Sequence, residues 1–239
     1  MFKLTFEFSL EKTVQAIAFF SQSGVPGLTK LKVAKLLYFA DKAHLLTEGS
    51  PIIGDVYFCM ENGPVPSFAL NEMNEAINST LSKPEVPLTE TSDVNVFTRV
   101  LNIKKGSPHP TFEAKQPCEA SVFSTSELEV LKDTVRLYGN KSASQLITLT
   151  HDEPTWQLAN EQRPHRGRAP IFYDLFFVGA PESSQRFLAK LVAEQFGEAI
   201  SLAGDADYAA FTEELGAYSL KPDEITESDI RTNRSLSRA

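Results

Sequence analysis

His151, Asp152 and Glu153 set an imidazole beside two carboxylates, a combination that can ligate a metal or abstract a proton. Adjacent residues at a helix end point in different directions, and Pro154 follows at once. The triplet therefore has a second reading as a helix terminus. His151 would donate to the last carbonyls, and Asp152 or Glu153 would cap the turn carrying Trp156. His44, His109 and His165 are isolated along the chain and suggest no ligand set. Cys59 and Cys118 lie far apart, in no CxxC or Cys/His spacing. They read as reduced cysteines behaving as small hydrophobes, not as a disulfide or zinc ligands. The signatures GxGxxG, GxxxxGK(S/T), HExxH and GxSxG are all missing from the sequence. Motif and spacing thus point to no enzyme and to no cofactor, with a hydrolase site at His151 and Glu153 as the alternative.

The basic stretch Arg163-Pro164-His165-Arg166-Gly167-Arg168 could touch a phosphate backbone, but it is short and lacks interleaved aromatics. A formal net charge of −8 over 239 residues argues against nucleic-acid binding, which needs clustered cations to displace counterions. The stretch reads better as a hinge, and Arg231, Arg234 and Arg238 as a solubilising tail. An acidic surface suits a basic protein partner, because opposite fields speed encounter. The opening Met1 to Lys12 has no apolar signal-peptide core, and no apolar run approaches the ~20 residues that cross a bilayer. The expectation is a cytoplasmic protein without a membrane segment.

The elements that must hold these residues are mostly helical. Phe2 to Phe8 alternates apolar and polar, as a short strand or an extended arm does. Ser9 caps a helix striped by Val14, Ile17, Ala18 and Phe20, and Gly24, Pro26 and Gly27 break it. Thr29 caps the clearest helix, with Leu31, Val33, Leu36, Leu37, Ala40 and Leu45 inward and Lys30, Lys35, Asp41 and Lys42 outward. Gly49 stops it in the left-handed conformation, and Pro51 prevents resumption. Asp55 to Met60 predicts a strand, and Asn62-Gly63-Pro64-Val65-Pro66 a rigid loop presenting an apolar surface. Ser67 caps a helix to about Ser79, and Lys83 to Pro87 is a surface connection.

Val94 to Lys104 predicts a strand pairing with Phe112 to Ala114. Ser124 with Glu127 forms a capping box, and Ser142 caps another helix. After Ala159 come the basic linker, the apolar run Ile171 to Val178, and a helix begun by Pro181 and ended by Gly204. Asp205 caps a last helix through Leu215, before a mobile tail from Lys221.

Three segments in order carry a resemblance. They are Leu28 to Asp41, reading LTKLKVAKLLYFAD; Pro51 to Asp55 followed by Asn62 to Pro66; and Leu146 to Trp156, containing Thr150-His151-Asp152-Glu153-Pro154. Together they resemble the Panacea-domain family, over about residues 10 to 160. That resemblance implies an antitoxin, one that neutralises a cognate toxin encoded by the adjacent gene through direct binding. One branch of the family implies an alternative, an adaptor that delivers its toxin to an ATP-dependent protease.

The expected fold is mainly α with a small antiparallel β element (α+β), a compact helical domain plus a helical C-terminal extension. Its divisions are 1–160 for the domain, 161–170 for the basic linker, 171–220 for the extension and 221–239 for the tail. Partner contacts are expected at Tyr57, Gly63, Pro64, Val65, Pro66, His151 and Trp156.

Overall fold

A helix buried on every side has to lie inside the molecule, and Lys30–Glu48 is such a helix, with every residue from Lys32 to Asp41 buried. In the computed structural model, which describes residues 2–81, 96–106, 108–165 and 167–203, this helix is the axis of the fold. We label the helices α1 (Leu10–Gln22), α2 (Lys30–Glu48), α3 (Ser67–Leu81), α4 (Val96–Val100), α5 (Thr125–Tyr138), α6 (Ala143–His151), α7 (Pro154–Glu161) and α8 (Glu182–Ala203). The strands are β1 (Tyr57–Met60), β2 (Gly63–Pro66), β3 (Leu101–Lys104), β4 (Thr111–Ala114) and β5 (Ala169–Ile171). The architecture is mainly α with small antiparallel sheets. Among the described residues, no helix is long and apolar enough to cross a membrane.

Helix α2 lines two cores. Val33, Leu36, Leu37 and Ala40 join Ile17, Phe20, Met73, Phe97 and Leu131 on one side. Tyr38, Phe39 and Leu45 join Tyr57, Leu146, Phe176, Phe177 and Leu188 on the other. Each fully buried large apolar side chain contributes about 1.5–3 kcal/mol of transfer free energy, and among the described helices α2 buries the most residues. This corrects the outward placement of two charges. Asp41 is fully buried and Lys35 is 1% exposed, because no side of a central helix faces water. Lys30 and Lys42 are half-buried.

Local signals account for most boundaries. Ser9, Thr29, Ser124 and Ser142 each accept from the backbone N–H three residues on, and the last two complete capping boxes with Glu127 and Gln145. Gly49 closes α2 at φ 80°. Helix α3 starts at Ser67 itself, so Ser67 is not its cap. The remote carboxylate of Asp55 accepts from Phe68 N at 2.9 Å and Ala69 N at 2.8 Å instead.

Strands β2, β1 and β5 form an antiparallel sheet in that order, with Cys59 opposite Pro64 and Ala169. The Gly63–Pro66 segment is therefore an edge strand rather than the expected loop. Proline is tolerated there because an edge leaves one row of donors unused. Strands β3 and β4 pair as expected, but the first half of the predicted strand, Val96–Val100, is helix α4. Phe97 and Val100 there bury three residues apart, which suits one helical face. Phe2 to Phe8 is an extended arm without a ladder; its Leu4 carbonyl accepts from Tyr173 N at 3.3 Å. The connection at 83–87, the helix from Asp205 and the tail from Lys221 lie outside the described residues.

Ala169 to Ile171, at the junction of the expected linker and extension, is a strand of the main sheet. Tyr173–Phe177 follows as a buried 3-10 turn against α2.

Candidate functional site

Charges buried in a core need partners, because an unpaired one is costly to desolvate. Helix α2 carries two such charges, and each organises a cluster of polar groups. Asp41 Oδ1 accepts from Ile52 N at 2.9 Å and Ile53 N at 2.8 Å. Its Oδ2 accepts from the hydroxyls of Tyr57 and Tyr173, both at 3.1 Å. Tyr173 also lies 2.9 Å from the Asp55 carbonyl. One carboxylate thus joins α2 to the segment entering β1, to β1 itself and to the turn after β5. Burial pushes the Asp41 carboxyl up to about 7, against the pull of these four donors.

Lys35 sits two turns earlier and donates to the Pro64 carbonyl at 2.9 Å. Burial lowers its ammonium to about 7. Its surroundings include the buried Thr150 and Gly63, where Lys35 Nζ and Thr150 Oγ1 leave no room for a side chain. His151 lies close enough to Lys35 for the ammonium to depress its imidazole, after the larger effect of burial. The imidazole stacks on Trp156 at 3.9 Å between ring centroids. Its Nε2 is buried without a hydrogen-bond partner among the described residues.

Glu153 does not join His151 in a catalytic pair. Its Oε2 accepts from Tyr38 OH at 2.5 Å and Lys42 Nζ at 3.0 Å, which fastens the start of α7 to α2. Nor does it cap α7 through its side chain; Pro154 occupies the first helical turn instead. Thr155 Oγ1 donates to the Leu175 carbonyl at 3.1 Å, and Trp156 Nε1 to that of Met60 at 3.3 Å. The run from His151 to Trp156 is a clasp binding α2, β1 and the Tyr173–Phe177 turn. The other isolated histidine on α2 is likewise tied: His44 Nδ1 is 2.6 Å from the Ser50 carbonyl and Nε2 3.1 Å from Ser126 Oγ. Burial pushes the Cys59 thiol up to about 11, which leaves it a poor nucleophile.

Of the expected contact residues, Tyr57, Gly63, Pro64 and Pro66 are buried, whereas Val65, His151 and Trp156 are half-buried. The structure brings Gly63, Pro64 and His151 around Lys35. It sends Tyr57 to Asp41. Lys35, Tyr38, Asp41, Asp55 and Tyr173 are missing from the sequence-derived set. One signal was present: Lys35, Tyr38, Asp41 and Leu45 recur at helical spacing, so two charges interrupt an apolar stripe.

The family described as Antitoxin SocA-like, Panacea domain, matches residues 33–157, just over half of the chain. This chain belongs to that family. No curated protein and no solved structure matches it. The Panacea match encloses Lys35, Asp41, Asp55, Gly63 and the His151–Trp156 clasp. Tyr173 and strand β5 lie beyond it, yet they complete the Asp41 cluster and the sheet. The three sequence segments that carry the resemblance are those that meet around α2.

Lys35 gives the Panacea domain a pH dependence whose sign is fixed. In the fold it loses its proton at about 7, whereas in the unfolded chain it stays charged to its ordinary 10.5. Between these values the unfolded state binds more protons, so this lysine makes the fold more stable as pH rises. The difference in urea-derived stability between the wild type and Lys35→Met is expected to move in favour of the wild type from pH 7 to 9. A difference that stays flat over that window would show that Lys35 keeps its proton in the fold.

Proposed function

We propose that this chain is an antitoxin that neutralises a cognate toxin by direct protein–protein contact, in the cytoplasm, with the toxin encoded by the adjacent gene. One observation carries the reading: in this antitoxin-family domain the carboxylate next to His151 and the two charges buried on α2 are engaged in holding the fold together. Glu153 is taken by Tyr38 and Lys42, Asp41 by four donors, and Lys35 by Pro64. Buried polar networks of this kind rigidify a scaffold, and a rigid surface binds a partner at a low entropic cost.

Co-expression tests the proposal. The product of the adjacent gene is expected to arrest growth alone and to be tolerated with this chain, and the two purified proteins are expected to protect at a fixed molar ratio. Protection by a small fraction of an equivalent would indicate turnover and sink the binding reading in favour of a hydrolase. Rescue that persists in a host lacking its ATP-dependent proteases separates neutralisation from delivery to a protease.

A further inference from the structure

Four large hydrophobic residues are exposed among the described residues: Val56 at 38%, Met60 at 39%, Phe68 at 48% and Leu81 at 40%. Three of the four belong to one place. Along β1, Tyr57 and Cys59 are buried, so Val56, Phe58 and Met60 take the opposite side of the pleat. Val65 and Pro170 stand in register on either side of Phe58. Phe68 adjoins Val56, since Ser67 N donates to the Val56 carbonyl, and it stacks on Phe8 at 5.4 Å. The outer face of the sheet is thus apolar across all three strands. Scattered exposed hydrophobes are ordinary, whereas a contiguous patch marks an interaction surface.

Two further features say what fits there. The Arg168 guanidinium lies 4.3 Å from the centre of the Phe58 ring. Among the described residues it has no carboxylate or carbonyl partner, so a cation stands over an apolar face in a chain whose net charge is −8. An apolar-lined cleft, bordered by Leu4, Phe6, Val56, Pro170 and Phe172, opens beside the same face between the N-terminal arm and the sheet. The edges, by contrast, resist strand addition. Pro64 and Pro66 lie in β2 and Pro170 in β5, and proline has no N–H to give to a new ladder. Three strands make a face about 10 Å wide, which matches the ~10–12 Å diameter of a helix.

We propose that the outer face of the β2–β1–β5 sheet is the toxin-docking surface, and that it receives an amphipathic helix of the toxin. The helix lays apolar side chains on Val56, Phe58, Met60 and Phe68 and presents a carboxylate to Arg168. This assignment rests on the antitoxin reading and adds the surface and the chemistry of the partner. It accounts for the clasp as well: the His151–Trp156 run supports this sheet from behind, through Trp156 on Met60.

The test measures binding of the full-length chain to the purified adjacent-gene product by calorimetry, with three exposed-site variants, Val56→Glu, Met60→Glu and Arg168→Glu. Each is expected to weaken binding about 30-fold or more while leaving the melting temperature in place. Lys132→Glu, on the exposed side of α5, serves as the control and is expected to bind as the wild type does. Unchanged affinity in all three variants, with the wild type binding, overturns the face and leaves the antitoxin reading standing. A wild type that neither binds nor rescues overturns the antitoxin reading and removes the occupant with it. A concentration-dependent dimer dissolved by the same variants would assign the face to a second copy of this chain and likewise overturn the proposal.

Discussion

Replacing Asp41 with alanine is expected to destabilise the fold by about 3–5 kcal/mol, read as a lower urea midpoint at an unchanged slope. The carboxylate satisfies Ile52 N, Ile53 N and the Tyr57 and Tyr173 hydroxyls in a site with no exposure. Tyr173 can turn to the Asp55 carbonyl, which leaves three buried donors orphaned. Each costs about 1–3 kcal/mol when left unmade, partly offset if water enters the space. Asparagine should cost only about 1–2 kcal/mol. Its carbonyl can take the two backbone N–H groups, and its amide can donate to hydroxyl oxygens whose protons rotate away.

The pH dependence follows from the same geometry. In the unfolded chain Asp41 ionises near 3.8, and in the fold only at about 7. Between those values the folded state holds the extra proton, so this group makes the fold less stable as pH rises. The stability advantage of wild type over Asp41→Asn should therefore shrink from pH 4 to 7. An advantage that grows over that range would mean the four donors outweigh burial.

Gly63→Ala is the second large effect, at about 4 kcal/mol. The backbone there has φ 93°, a region that costs a side-chain-bearing residue about 1–3 kcal/mol. The new methyl would also press on Lys35 Nζ and stand 2.5 Å from Thr150 Oγ1. Thr150 is fully buried and stiff at χ1, and Lys35 is held by Pro64, so neither yields cheaply. Overpacking adds about 1–3 kcal/mol. Gly24→Ala separates the two contributions, since Gly24 has φ 76° with nothing within 4 Å of the added carbon. It should cost only the strain, about 1–2 kcal/mol. Equal losses at the two sites, measured in urea, would show that the Lys35 pocket has room to spare.

Sequence reading did well wherever a boundary is local. Ser9, Thr29, Ser124 and Ser142 cap their helices with their own side chains, and Gly49 ends α2 by its own φ. Such signals span three or four residues, so the chain carries them in full. Helix α3 is the counterexample: its first N–H groups are satisfied by Asp55, twelve residues before the helix begins, so no nearby pattern named the cap.

The candidate site was half legible. Gly63, Pro64, His151 and Trp156 stand out by residue type, and they do assemble together. The charges that assemble them, Lys35 and Asp41, looked like the solvated side of an amphipathic helix, because one sequence cannot say whether water or a second core lies behind it.

By itself the sequence determined the helical class, the capped ends, the segments of the Panacea family and the absence of familiar catalytic motifs. Only tertiary structure decided that α2 runs between two cores, that Gly63–Pro66 is a strand rather than a loop, and that Tyr173 closes the Asp41 cluster from beyond the family segment. The reason is range. Capping and turn chemistry act between neighbours, whereas burial and the partnering of a buried charge depend on residues brought together from as far apart as Asp41 and Tyr173.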